Sequence, residues 1–270
     1  MNAIDLTQFK ELIAQGYGVV DTRKSEIFCE SFIEDSVSIP FDENFMDAVD
    51  ELTEAGQKIL LVTEEHENAA IAKALKAVAN ENVKGFLEGG FDAWKNAGNK
   101  IDMLIAIDTD EFAIDYKHDE FYLVDVRSKE EYAVDHAEDS ENVVLNDLEQ
   151  ILIEFETTDS YYVYGNTIQE AVTAGSIFKK IGFNRVRAVA ADYESIKKSG
   201  IPLFEQKKKD KAASKFSDNW DYADSYILAI RISKILFSPD NYICPHLKNK
   251  PYTNEIYCFY HHPTQEFTNY

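Results

Sequence analysis

Cysteine is scarce in this chain: three in 270 residues, at positions 29, 244 and 258. Three thiols cannot build a disulfide framework, so a reducing, cytoplasmic setting is expected. Glycine and proline number only 11 and six, which excludes collagen-like repeats and Pro-rich disorder. Basic residues are outnumbered, 27 Lys and Arg against 49 Asp and Glu, for a net charge of −22. Nucleic acid is therefore not an expected partner, because phosphate binding needs a basic stripe. Anionic membrane surfaces are disfavoured for the same reason. No apolar run approaches the roughly 18 residues of a membrane span. The N-terminal MNAIDLTQFKELIAQG is polar and helical in pattern, unlike a signal peptide.

Apolar residues make up 45% and aromatics 13%, enough for one or two real cores. The length suggests about two domains. The acidity is uneven: residues 205–270 hold nine Lys and Arg against eight Asp and Glu, so the deficit belongs to residues 1–204. The break falls at Glu205-Gln206-Lys207-Lys208-Lys209-Asp210-Lys211, which reads as an exposed linker. Beyond it the chain turns aromatic.

Residues 1–204 contain an internal repeat. Val20-Asp21-Thr22-Arg23 is echoed by Val124-Asp125-Val126-Arg127. Each is followed by an acidic, aromatic-bearing segment, Ser25-Glu26-Ile27-Phe28 and Glu130-Glu131-Tyr132. About 40 residues on come the apolar strands Ile59-Leu60-Leu61-Val62 and Tyr161-Tyr162-Val163-Tyr164. A short polar loop and a helix follow each, over 69–79 and 170–181. The copies close on Phe91-Asp92-Ala93-Trp94 and Tyr193-Glu194-Ser195-Ile196. Strands alternating with such helices imply an α/β fold with a parallel sheet in each copy, flanked by helices. In such sheets, ligands sit beyond the carboxyl ends of the strands. The expected divisions are 1–103, 104–204 and a linker with an aromatic tail over 205–270.

The repeat resembles a tandem of rhodanese-like domains. The resemblance rests on the two Asp-x-Arg motifs and on Leu87-Glu88-Gly89-Gly90-Phe91-Asp92-Ala93-Trp94. The stretch 135–140 matches the family's Gly-His-Ile-x-Gly-Ala but keeps only His136, and 31–36 keeps only Ile33. The resemblance implies a sulfurtransferase fold in which a Cys at the end of the central strand is cradled by the following loop. Backbone N–H groups there stabilise the thiolate and persulfide. It also implies structural roles for Asp21, Arg23, Asp125, Arg127, Gly89, Gly90 and Trp94. The His-x-His-x-Asp-His metal motif of persulfide dioxygenases, to which some members are fused, is absent.

Carried onto this chain, the nucleophile positions hold Thr63 and Gly165, neither of them Cys. The first loop, Thr63-Glu64-Glu65-His66-Glu67-Asn68, carries three carboxylates and would repel an anionic sulfur donor. The second, Gly165-Asn166-Thr167, has neither thiol nor cation. With no carboxylate before Glu170, a Cys placed at 165 is expected to regain activity more readily than one at 63. A Thr63/His66 pair lacks an orienting third group. Cys29 has acidic neighbours, Glu26 and Glu30, which favour an inert thiol.

In the tail, Cys244, His246, Cys258 and His261 have ligand types that suit zinc, but their spacing matches no strong signature. Residues 226–237 are apolar at most positions and read as a docking helix rather than a span. The sequence thus points to a catalytically inactive pair of domains with a binding or regulatory role and no cofactor. The expected partner is another protein or a small anionic sulfur species. The alternative is an active sulfurtransferase that uses an unconventional thiol.

Overall fold

Asp5 and Asp108 open the two halves of the chain in the same way. Each accepts two backbone N–H bonds through its side chain, Asp5 from Thr7 and Gln8, Asp108 from Asp110 and Glu111. These caps satisfy donors that a helix start leaves unpaired. The computed structural model describes residues 2–53, 56–77 and 82–205. The candidate zinc ligands Cys244, His246, Cys258 and His261, the segment 226–237 and the Lys-rich 207–211 lie outside the described residues.

The first half runs β1 (Asn2–Ile4), α1 (Leu6–Ala14), β2 (Gly18–Asp21), α2 (Ser25–Glu30), β3 (Phe32–Ile33), β4 (Val37–Ser38) and α3 (Phe45–Leu52). It continues β5 (Ile59–Val62), α4 (Asn68–Ala77), β6 (Val83–Leu87), α5 (Gly90–Asn96) and β7 (Ile101–Asp102). The second half repeats this order with β8 (Ile105–Ile107), α6 (Thr109–His118), β9 (Tyr122–Asp125), α7 (Lys129–Val134), β10 (Asp135–Ala137), β11 (Ser140–Asn142) and α8 (Leu148–Ile151). Then follow β12 (Tyr161–Tyr164), α9 (Ile168–Lys180), β13 (Val186–Val189), α10 (Tyr193–Lys198) and β14 (Leu203–Glu205).

Each half forms a five-stranded sheet whose pairings are all parallel, in the orders β1-β6-β5-β2-β4 and β8-β13-β12-β9-β11. An antiparallel two-stranded ribbon accompanies each, β3 with β7 and β10 with β14. The registers also agree: Asp21 pairs with Val62, and Asp125 with Tyr164. The central strands β5 and β12 are buried along their whole length, as expected where helices cover both sheet faces. The motif stretches 31–36 and 135–140 each contain a non-glycine residue with left-handed backbone. Asp35 and Asp139, at the second glycine of the motif that the repeat resembles, adopt left-handed φ of 66° and 62°, a region that Asp tolerates better than most side chains.

The two halves share a core. Residues 171–178 of α9 are buried all round, the mark of a helix packed between other elements rather than one lying on a surface. Thr173 Oγ1 donates to the Ser38 carbonyl at 2.8 Å, and the Ser38 N–H donates to Ser176 Oγ at 3.0 Å. A helix of the second half therefore completes the edge strand of the first. Gly175 makes this approach possible, because a Cβ there would lie 2.7 Å from Leu104 Cδ2. Leu104 in turn donates its N–H to the Cys29 carbonyl, and Lys179 pairs with Asp102 at 2.9 Å. One apolar cluster joins Val20, Phe28 and Leu61 to Val163, Ile177 and Phe178. This core therefore draws on residues from both repeats.

Candidate functional site

The carboxyl ends of β2 and β9 each carry a buried ion pair. Arg23 Nη2 lies 2.6 Å from Asp21 Oδ2 and its Nε lies 2.9 Å from Oδ1. The Arg127–Asp125 distances are 2.7 and 3.0 Å. The same Nη2 atoms also donate to the carbonyls of Ser31 and Asp135, pinning the chain where α2 and α7 end. Each guanidinium lies over a ring of the closing helix, Phe91 at 4.1 Å and Tyr193 at 3.4 Å from the centroid. Burial drives the Asp21 carboxyl upward, and the Arg23 bonds pull it back without cancelling the effect. Burial opposes the Arg127 charge, yet the bonds it donates to Asp125 hold the guanidinium above its ordinary value. Both arginines are buried, so they brace the strand ends and are not presented to a ligand.

Thr63 follows β5 directly and is 4% exposed. Its hydroxyl donates to Asn68 Oδ1 at 2.6 Å. The exposed His66 ring lies 3.5 Å from Glu64. Among the described residues the Thr63 hydroxyl is thus bonded to Asn68, and the His66 ring is paired with Glu64. One carboxylate oxygen of Glu67 is buried without a hydrogen-bond partner among the described residues. Burial raises that carboxyl, Glu64 adds to the shift, and His66 and Lys24 oppose it. Glu65 begins the short 3₁₀ turn Glu65–Glu67. The closing motif lies against this loop: Gly89 and Gly90 have φ of 74° and 59°, and a Cβ at Gly90 would come within 3.1 Å of the Thr63 carbonyl. Trp94 anchors α5 by donating Nε1–H to the Lys100 carbonyl at 2.7 Å.

Gly165 occupies the matching place after β12, but its loop is two residues shorter because α9 starts at Ile168. The sequence reading starts that helix at Glu170. Two further residues of helix put Glu170 on the first turn, from which its side chain folds back. Thr167 Oγ1 accepts from the Glu170 N–H at 3.2 Å, and Glu170 Oε2 accepts from the Asn166 N–H at 2.7 Å. A Cβ on Gly165 would meet Glu170 Cβ and Oε2, each at 2.6 Å. Burial raises the Glu170 carboxyl; the Asn166 bond and Arg127 lower it, and Glu131 and Asp125 raise it. The Asn166 side chain donates to Glu131 Oε1 at 2.9 Å. Glu170, the first carboxylate after Gly165 in the sequence, thus reaches back onto the loop. The missed signal was Thr167-x-x-Glu170, the spacing of a capping box.

Cys29, the one cysteine among the described residues, is buried in α2. Burial pushes its thiol up to about 12, and Glu26 adds to the shift.

The Rhodanese-like domain family matches residues 5–97 and 109–199. The chain belongs to the rhodanese-like family. Both halves match it, and together they account for more than half of the chain. Among solved structures, the Alr3790 protein from Anabaena sp. is 22% identical, with 37% of this chain and 91% of that one aligned and a TM-score of 0.35. A rhodanese with anions from E. coli is 22% identical over 32% of this chain and 100% of that one, at a TM-score of 0.29. A thiosulfate sulfurtransferase from Pseudomonas aeruginosa is 14% identical over 76% of this chain and 44% of that one, at 0.34. No curated protein matches the chain. No helix among the described residues is long and apolar enough to cross a membrane.

Proposed function

We propose that this tandem rhodanese-like protein is non-catalytic and has a binding or regulatory role linked to sulfide or persulfide metabolism. The observation that carries this reading is what stands at the two strand ends. Thr63 spends its hydroxyl on Asn68, and Gly165 has neither a side chain nor space for one. Transfer of a sulfane sulfur needs a thiolate to hold it between donor and acceptor. Cys29 is a poor substitute, since a buried thiol with its proton held to about 12 forms almost no thiolate at neutral pH.

The surroundings favour a protein partner over a small sulfur anion. Glu64 and Glu67 lie in the first loop, and the Glu170 carboxylate takes a backbone donor in the second. Arg23 and Arg127 are committed to their own aspartates. Like charge repels thiosulfate or a persulfide anion from such loops.

The test is a thiosulfate:cyanide sulfurtransferase assay on the full chain. Thiocyanate should form no faster than without protein. Turnover that disappears when the cysteines are alkylated would establish the competing reading, an active enzyme with an unconventional thiol.

A further inference from the structure

We propose that Glu170 is the residue that closes the second strand-end loop, filling the space and taking the backbone donor that a nucleophilic side chain at position 165 would use. This rests on the reading of 165 as the nucleophile position, and it adds a second, independent barrier to sulfur chemistry there. Restoring a thiol would then not restore the site.

The steric part comes from the 2.6 Å approach of a Cβ at 165 to Glu170 Cβ. That atom is fixed to the helix backbone and cannot swing aside. The electrostatic part comes from Oε2, which is 2.6 Å from the same Cβ and 2.7 Å from the Asn166 nitrogen. A sulfur carried on that Cβ would compete with the carboxylate for the Asn166 N–H. The adjacent negative charge would also hold the thiol protonated. Glu170 is held in this position by the Thr167 cap on its own N–H and by the start of α9 at Ile168.

The reaction at stake balances without a further reagent. A thiolate at 165 would attack the outer sulfur of thiosulfate, forming an S–S bond and expelling sulfite with the electron pair. Cyanide would then take that sulfur as thiocyanate and return the thiolate. Glu170 opposes the first step by opposing the thiolate.

Two measurements test the proposal in the full chain. The first compares the urea unfolding of wild type, Gly165→Ala, Glu170→Gly and the double variant. Gly165→Ala should cost clearly more stability in the wild-type background than in Glu170→Gly. Additive costs would overturn the proposal. The second measures iodoacetamide alkylation at pH 7 of the thiol introduced by Gly165→Cys, with the label located by peptide mass. Its rate should rise at least tenfold when Glu170→Gly is added, and less with Glu170→Ala, which keeps the obstructing Cβ. Equal rates with and without Glu170 would also overturn it. Sulfurtransferase activity in the wild-type chain would instead contradict the inactive reading, and the two failures can be told apart.

Discussion

The loops after β5 and β12 occupy equivalent places in two halves that agree in strand order, register and ion-pair geometry, yet they are built differently. The first is longer, and it uses its strand-end residue locally by tying the Thr63 hydroxyl to Asn68. The second is shorter and folds a carboxylate from its own helix onto the Asn166 N–H. The braces behind them are bonded alike: the shortest Arg23–Asp21 and Arg127–Asp125 contacts are 2.6 and 2.7 Å. The contrast separates two kinds of constraint. A buried carboxylate needs its arginine or the fold suffers, whatever the loop does. A strand-end loop can take any residues that satisfy its own backbone.

The largest effect tests the brace. Arg127→Ala would leave the buried Asp125 without its partner, at a cost of about 3–5 kcal/mol, and Arg23→Ala should cost a similar amount. Chemical denaturation measures both; a loss below about 1 kcal/mol in either half would break the equivalence of the braces.

Next comes the shared core. Gly175→Ala drives a methyl into Leu104 and should cost about 1–3 kcal/mol. Leu104→Ala carries its own core-truncation cost but opens that space, so the two costs together should fall short of their sum. Strictly additive costs in a double-mutant cycle would mean that the two residues are not in contact.

The smallest effect concerns the charge of Glu170. Its carboxyl is raised in the folded state, so the folded chain binds that proton more tightly than the unfolded chain. The benefit is therefore present at low pH and is lost as the pH rises through the raised value. The groups facing it are Glu131, Asp125 and Arg127. Glu170→Gln keeps an acceptor for the Asn166 N–H and removes the charge. It should match wild type in acid and exceed it near neutral pH by less than about 1 kcal/mol. A Gln variant less stable at neutral pH would show that the Asn166 bond requires the charge.

Much of the fold was legible because it occurs twice. Asp-x-Arg at 21–23 and 125–127, together with the two apolar strands, placed the central sheets and the strand ends. The ribbons of β3 with β7 and of β10 with β14 were not legible, because two- and three-residue strands have no periodicity to read. The burial of α9 on all sides was hidden too: Thr173, Gly175 and Ser176 look like an ordinary solvent face until Ser38 and Leu104 are brought against them. At the candidate site, the absence of a thiol at 63 and 165 was plain. The role of Glu170 was not, since it turned on a helix start two residues earlier than its apolar pattern suggested.

The account predicts that no residue of this chain, at the strand ends or elsewhere, holds a transferred sulfur. The direct measurement is the intact mass of the full-length protein after incubation with a persulfide donor and removal of excess donor. The expected result is an unchanged mass. A stable gain of one sulfur atom, mapped by peptide mass to Cys29, Cys244 or Cys258, would contradict the account and identify the thiol that carries the chemistry.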